Sequence, residues 1–365
     1  MFSTRLDSPT IPDRLLILLQ RAIEADASDL HLIAGHPPVI RLHGDLTEDS
    51  APPLGGPELS ELLSALCSLD ALARLQSQKG VDFSFDVEIA GKRRRFRANL
   101  FVVGGQLGAC LRVIPAEIPD FEWAGFPLEL ADKLAFARDG LILLTGATGS
   151  GKTTSLAMVI HLLNRTGGYR IITVEEPVEY LFPKCPDSVV TQREVGADVL
   201  SFADGLRSGL RQDPDVILVG EVRDRETAQI ALSAAETGHL VFASLHTRDA
   251  KGAITRFTDL FPQDVQGDVR SQLAMSLRSV VSQRLLPGTE RGAKRHLALE
   301  VLWNTNPISS ALRTGKIESI DNYLLTGRDA GMICFDESVR RLLLAGKITR
   351  EVAEQNVREM AVLYR

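Results

Sequence analysis

A phosphate-binding loop is the feature that most constrains how this chain can fold. Residues 140–154 read Gly-Leu-Ile-Leu-Leu-Thr-Gly-Ala-Thr-Gly-Ser-Gly-Lys-Thr-Thr, an apolar stretch leading into the pattern G-x-x-x-x-G-K-[ST]. The glycines let backbone N–H groups turn towards phosphate oxygens, and a helix beginning near Lys152 adds the positive end of its dipole. Lys152 suits the β- and γ-phosphates of ATP, and the Thr153 hydroxyl suits Mg²⁺. We therefore predict a strand–loop–helix unit that binds ATP and Mg²⁺ through Gly146, Ala147, Thr148, Gly149, Ser150, Gly151, Lys152, Thr153 and Thr154.

Size, charge and cysteine content argue against several other classes of protein. The 365 residues, 44% of them hydrophobic, are enough for two domains, each with its own core. The net charge of −6 does not indicate a nucleic-acid-binding protein, and the scattered cysteines favour reduced thiols over disulfides or a zinc site. No apolar run approaches the roughly 18 residues of a membrane span, and we find no signal peptide. We expect a cytoplasmic protein without direct membrane insertion.

Residue periodicity divides the chain into two domains. Residues 115–127 contain three prolines, which predicts a semi-rigid linker. Before it, alternating apolar residues predict strands at 81–89, 93–103 and 107–113, with helices at 12–25 and 59–75, so residues 1–114 form an α+β domain. After it, strands at 141–145, 170–174, 216–219 and 240–244 alternate with helices at about 153–164, 201–211, 226–237, 250–260 and 268–285. This alternation predicts an α/β domain with a largely parallel sheet over 128–365, helical from about 290.

Carboxylates follow two of the predicted strands. The strand Asp215–Gly220 leads into Glu221, an arrangement that positions Mg²⁺ or water beside a γ-phosphate. The strand at 170–174 is followed by Glu175, Glu176 and Glu179, and clustering like charges is costly unless a cation or phosphate chemistry uses them. An ordinary solvated acidic turn is the alternative for this second group.

Two histidines bracket the strand at 240–244. His239 begins it and His246 follows it, with Ser244 and Thr247 beside His246. The far end of a parallel strand lies on the edge of the sheet where the phosphate-binding loop begins. We predict a functional role for both histidines, although a lone histidine at a strand end is usually structural.

These motifs, in this order and spacing, identify a resemblance. The chain resembles the secretion ATPases of the type II/type IV pilus superfamily, and among them the PilT/PilU-like pilus retraction ATPases. The similar segments are the Walker A motif at 146–154, the "Asp box" at 172–180, the Walker B motif at 213–224 and the "His box" at 234–247. The resemblance also covers residues 27–32, 192–196, 282–286 and 311–316, so it spans nearly the whole chain.

The resemblance implies a fold, an assembly and residue roles. It implies a RecA-like P-loop NTPase domain with a smaller PAS-like N-terminal domain, assembled as a homo-hexamer that hydrolyses ATP and retracts pili through an inner-membrane platform protein. Glu221 would then order Mg²⁺, Glu179 would orient the attacking water, and Glu175 belongs to the same acidic motif. His239 and His246 would sense the nucleotide. Arg97 and Arg112 match the arginines that reach the nucleotide of the adjacent subunit, although arginines on this strand could also simply be solvated.

The chain departs from the family pattern in places. Glu176 stands where many relatives have Asp, and Gly104 stands where they often have a third arginine, which weakens the expectation of robust hydrolysis. A four-cysteine insertion typical of extension-type relatives is missing, which favours retraction. Three alternatives stay open: an assembly ATPase, a weakly hydrolysing accessory to a paralogous pilus ATPase, and a DNA-translocating ring. The acidic net charge argues against the last, because such a ring needs a basic channel.

Overall fold

The chain divides into two compact units. The computed structural model describes residues 11–42, 45–115, 117–290 and 294–364. Unit 1 comprises Met1–Glu117 together with Pro177–Tyr180, and unit 2 comprises Ile118–Glu176 together with Leu181–Arg365. This division differs from the sequence-based boundaries because Pro177–Tyr180, within the predicted domain 128–365, groups with unit 1.

Unit 1 is an α+β unit with an antiparallel sheet. The sheet order is β3-β2-β1-β6-β5-β4, and each neighbouring pair is antiparallel. Alternate residues of the longest strand, Phe96, Ala98 and Leu100, are buried and form a core with apolar residues of the three helices. The elements are α1 (Asp13–Glu24), β1 (Asp29–Ile33), β2 (Val39–Leu42), β3 (Asp45–Glu48), α2 (Gly56–Ser64), α3 (Leu69–Gln78), β4 (Gly80–Ile89), β5 (Lys92–Val103) and β6 (Gln106–Ile114).

Unit 2 is an α/β unit with a largely parallel sheet. Its elements are α4 (Phe121–Ala124), α5 (Leu128–Ala135), β7 (Gly140–Thr145), α6 (Lys152–Thr166), β8 (Arg170–Glu175), β9 (Val189–Glu194), α7 (Phe202–Gly209), β10 (Val216–Val219), α8 (Arg225–Glu236), β11 (Leu240–Leu245), α9 (Ala250–Asp259), α10 (Gln266–Ser276), β12 (Leu277–Leu286), β13 (His296–Trp303), α11 (Asn306–Thr314), α12 (Ile320–Thr326), α13 (Phe335–Leu344) and α14 (Arg350–Asn356). The sheet order is β13-β12-β7-β11-β10-β8-β9, and only the β12–β13 pair of these described strands is antiparallel. Every residue of β7 is buried, so the strand before the phosphate-binding loop is a central part of the core. The α/β prediction is confirmed.

Several sequence-based assignments in the second half of the chain are wrong. The predicted helix at 268–285 ends at Ser276, and the chain continues as strand β12. The predicted all-helical region after about 290 contains β13, which pairs with β12 along its whole length. Both strands are largely buried on two faces, so neither shows the alternation that identifies a half-buried strand: β13 is almost continuously apolar, and β12 also buries the polar residues Ser279, Ser282 and Gln283. Strand β9 was also not predicted.

Two further assignments differ near the predicted boundaries. The helix predicted at 59–75 is two helices, because the first ends at Ser64 and the second begins at Leu69. Ser68 caps the second helix by accepting a hydrogen bond from the Ala71 N–H. Most of the predicted linker at 115–127 is folded into unit 2: it contains α4, and Phe126 is buried with its ring centroid 6.0 Å from that of Phe121. No helix in the described ranges combines the length and apolar character needed to cross a membrane.

Candidate nucleotide site

The loop between β7 and α6 has the backbone conformation of a phosphate-binding loop. Gly146, Gly149 and Gly151 have φ angles of +151°, +76° and +89°, which L side chains rarely adopt. At Gly146 space is also limiting, because a Cβ would overlap the Ser150 hydroxyl and lie 2.5 Å from the Gln283 carbonyl oxygen. Helix α6 begins at Lys152, as the sequence predicts, so the N–H groups of its first turn face this loop.

Lys152 lies inside the loop. Its side chain is largely buried, and Nζ donates hydrogen bonds to the carbonyl oxygens of Gly146 (2.8 Å) and Ala147 (3.1 Å). The buried Ser150 hydroxyl finds no hydrogen-bond partner among the described residues. Thr153, in the first turn of α6, is half-buried. The loop therefore presents a cation, a hydroxyl donor and backbone N–H groups together, which is the chemistry that binds phosphate.

Strand β12 supports the loop from the side. It runs parallel to β7, with Ser282 opposite Thr145. The Gln283 side chain donates from Nε2 to the Ser155 hydroxyl on α6 at 2.8 Å, so β12 and α6 are linked beneath the loop. Sequence reasoning included this segment only as part of the family resemblance and gave it no role, since the strand itself was not recognised.

Glu221 lies at the same edge of the sheet, just beyond β10. Its Oε2 is 2.7 Å from Arg223 Nη2, and its Oε1 is 3.2 Å from His246 Nε2. Burial acts to raise the pKa of Glu221, but the hydrogen bond and charge of Arg223, with a contribution from His246, outweigh it and hold the pKa below its ordinary value. Glu221 is therefore an anionic carboxylate at the edge of the sheet where the phosphate-binding loop begins. His246 joins it as the sequence predicts, whereas Arg223 was not singled out.

The carboxylates after β8 separate into distinct environments. Glu175 is buried and accepts hydrogen bonds from the Thr173 hydroxyl (2.6 Å) and Gln192 Nε2 (3.2 Å). Glu176 pairs with Arg223 at 2.7 Å, so one arginine binds carboxylates that follow two neighbouring strands. The group predicted from the sequence therefore does not form a single cluster, because each carboxylate has a cationic or polar partner of its own.

His246 is connected to the loop through the backbone. Thr145, the last residue of β7, accepts a hydrogen bond from the Thr247 N–H at 3.0 Å, and the two hydroxyl groups are 2.6 Å apart. The segment that follows β11 is thus fixed to the residue that precedes Gly146. A movement of either segment would therefore displace the other.

His239 lies at the opposite edge of the sheet. It precedes β11, whose six residues span about 20 Å at the usual rise per residue, and its carbonyl oxygen accepts from the Gly140 N–H at the start of β7. Its Nδ1 donates to the Ala234 carbonyl oxygen at 3.0 Å, closing the end of α8. Within this chain His239 therefore lies away from the phosphate-binding loop, and its role in sensing the nucleotide stays a prediction.

Glu179, Arg97 and Arg112 all belong to unit 1. Arg97 Nη1 is 3.9 Å from Glu179 Oε1, and its Nε is 3.6 Å from Asp82 Oδ1. Arg112 Nε donates to Asp29 Oδ1 at 2.9 Å. The structure therefore brings together Arg97 and Glu179, which the sequence placed in different motifs, and separates Glu179 from Glu175.

Comparison with known proteins identifies the family. The family model described as type II/IV secretion system protein matches residues 6–336. This chain belongs to that family. It is 40% identical over 343 residues to the type IV pilus retractation ATPase PilT of Pseudomonas aeruginosa, covering 93% of this chain and 97% of the relative. It is 36% identical over 336 residues to the type IV pilus ATPase PilU of the same organism, covering 92% of this chain and 86% of the relative.

A solved structure gives the same result for the fold. The crystal structure of the pilus retraction motor PilT with bound ADP aligns with a TM-score of 0.85 and 42% identity, covering 96% of this chain and 99% of that one. The predicted fold class, a RecA-like α/β unit with a smaller PAS-like α+β unit, is confirmed. In this type II/IV secretion system protein, the carboxyl ends of β7, β8, β10 and β11 place the phosphate-binding loop, Glu175, Glu221 and His246 along one edge of the sheet.

Proposed function

We propose that this chain is the subunit of a hexameric ATP-hydrolysing motor that drives type IV pilus retraction, and hence twitching motility, through an inner-membrane platform protein. The observation that carries the proposal is the complete phosphate-binding loop with the anionic Glu221 at the same edge of the sheet, in a chain similar over nearly its full length to a retraction ATPase. We further propose a cytoplasmic location at the inner membrane, an interaction with paralogous pilus ATPases, and no nucleic-acid partner.

The substrate is proposed to be ATP with its Mg²⁺. Backbone N–H groups of residues 146–154 and the Lys152 ammonium would bind the phosphates. The Thr153 hydroxyl and the Glu221 carboxylate are hard oxygen donors, which fit Mg²⁺, and the lowered pKa of Glu221 keeps that carboxylate ionised. To act on the metal or its water, Glu221 would exchange part of its contact with Arg223 for the cation.

Glu179 and the two arginines would complete the reaction. We propose that Glu179 orients the attacking water and that Arg97 and Arg112 of one chain neutralise charge on the γ-phosphate bound by a neighbouring chain. Hydrolysis would then change the contacts between neighbouring chains, and this change would be transmitted to the platform protein as movement. His246, bonded to Glu221 and followed by the Thr247–Thr145 link, would report the state of the nucleotide.

Phosphate release and pilus number test the proposal together. The Lys152→Ala variant should lose ATP hydrolysis, whereas Lys92→Ala, which removes an exposed lysine of β5, should keep it. Cells that carry only the Lys152→Ala protein should bear excess pili that do not retract. Bald cells would instead indicate an assembly motor. Normal retraction with near-zero hydrolysis by the wild-type protein would indicate an accessory to a stronger paralogue, the role for which Gly104 provides an argument.

A further inference from the structure

A row of charged residues crosses four neighbouring strands of unit 1. Asp29 on β1 is directly opposite both Arg41 on β2 and Arg112 on β6, and Arg112 is directly opposite Arg97 on β5. Side chains of directly opposed residues lie on the same face of a sheet, so one acid and three arginines stand side by side. Two arginines facing each other across adjacent strands repel, and this arrangement requires nearby negative charge.

Asp29 provides that charge from a fixed position. Its side chain is only 7% exposed, although carboxylates are rarely buried to this extent. Oδ1 accepts from Arg112 Nε at 2.9 Å, and Oδ2 accepts from the Ser28 hydroxyl at 2.8 Å. Both oxygens are therefore bonded, and the strand that carries Asp29 is paired on both sides. The carboxylate has little freedom to move.

The bond to Asp29 leaves the two terminal Nη groups of Arg112 available. Asp29 is engaged through Nε, and among the described residues Arg112 makes no hydrogen bond through its Nη groups. The Arg112 side chain is 51% exposed, so its fork of N–H donors reaches solvent while its base is held. Arg97 differs, because its contacts with Asp82 and Glu179 are longer, at 3.6 and 3.9 Å.

We propose that Asp29 is a positioning residue for Arg112: the buried carboxylate fixes the guanidinium through Nε so that both Nη groups project towards a triphosphate. This inference rests on the proposed function of Arg112. Fixing a flexible arginine before the reaction removes an entropic cost that would otherwise be met when the phosphate is bound. A bond through Nε does so without occupying the pair of Nη donors that recognises phosphate.

A double-substitution experiment on the full-length protein separates positioning from a structural role. Asp29→Asn keeps the side-chain shape but removes the charge that holds Nε. We expect kcat for MgATP to fall about tenfold and KM to change less than about twofold. A tenfold lower rate corresponds to the free-energy cost of ordering one arginine side chain. In the Arg112→Ala background the same Asp29 substitution should have no further effect on kcat, because there is no guanidinium left to position.

Controls make each outcome decisive. Asp70→Asn removes another acid–arginine contact in unit 1, the exposed Asp70–Arg74 pair at 3.0 Å, and should leave kcat unchanged. Thermal midpoints of all variants identify any loss of folding. A tenfold fall that persists in the Arg112→Ala background, or a wild-type kcat for Asp29→Asn, would overturn the positioning role while leaving the proposed function intact. Full activity of Arg112→Ala alone would overturn the role of the arginine itself, and the inference with it.

Discussion

Replacing Glu300 by glutamine should stabilise unit 2 in a pH-dependent way. Glu300 is on β13, buried, and its Oε1 accepts a hydrogen bond from the Ala250 N–H at 2.8 Å, next to the segment that carries His246. Burial, with a smaller contribution from Asp249, raises its pKa to about 7, and the Ala250 and Arg358 contacts only partly oppose this rise. Glutamine keeps the acceptor oxygen and the shape but has no charge to bury.

The sign and size of the effect follow from proton linkage. The folded protein holds the Glu300 proton up to about pH 7, whereas the unfolded chain releases it near its ordinary value of 4.5. The stabilising contribution of the bound proton is therefore complete below pH 4.5 and is lost as the pH rises towards 7. At roughly 1.4 kcal/mol per pH unit the full loss is about 3 kcal/mol, of which about 2 kcal/mol falls between about pH 5.5 and about pH 8.

Urea denaturation at these two pH values measures the effect. Both tryptophans of the chain, Trp123 and Trp303, lie in unit 2, so their fluorescence reports the unfolding of the relevant unit. The advantage of Glu300→Gln over the wild type should be about 2 kcal/mol larger at the higher pH. Glu290→Gln, at an exposed loop position, is the matched control and should show no such change. An advantage of equal size at both pH values, or a loss of stability at the higher one, would refute this reasoning.

Three further substitutions test particular contacts. Glu221→Gln should keep ATP binding but lower kcat on the order of 100-fold, because an aligned charge at the site is lost, and unchanged turnover would exclude this carboxylate from the reaction. Gly205→Ala places a Cβ 2.7 Å from Val174 Cγ1, and this overlap costs more than the higher helix propensity of alanine gains. The net effect should be a free energy of unfolding lower by about 1 kcal/mol. A denaturation curve that matches the wild type would show that α7 moves to relieve the overlap. His239→Ala should leave ATP affinity unchanged in equilibrium binding, since the residue lies at the opposite edge of the sheet. A tenfold weaker affinity would support the predicted role of His239 in sensing the nucleotide.

The parts of the fold predicted from the sequence are those with strong local patterns. Strands β7, β8, β10 and β11 are apolar runs followed by motif residues, and the loop at 146–151 has glycines where the backbone requires them. Strands β12 and β13 could not be distinguished from buried helices, because pairing between them, rather than local preference, decides their structure.

The sequence places several candidate site residues on the sheet but does not show how they group. His246 and Glu221 follow directly from strand ends, whereas His239 stands at the start of a parallel strand, away from the carboxyl edge. The assignment of Glu179 and Glu175 to different units was not accessible, because the three residues between them give no sign that the chain passes from unit 2 to unit 1. The Asp29–Arg112 bond depends on strand register, which the sequence does not show.

The claim on which the proposed function depends is that one ATP is used by two chains. Co-expression of the Lys152→Ala and Arg112→Ala variants tests it most directly, because the first is expected to be inactive alone and the second to keep only a small residual rate of hydrolysis. In mixed rings, a phosphate-binding loop from the Arg112→Ala chain meets an intact arginine from the Lys152→Ala chain at up to about a quarter of the interfaces. We predict that purified mixed rings recover ATP hydrolysis to about this fraction of the wild-type rate. Mixed rings that hydrolyse ATP no faster than the Arg112→Ala protein alone would contradict the claim.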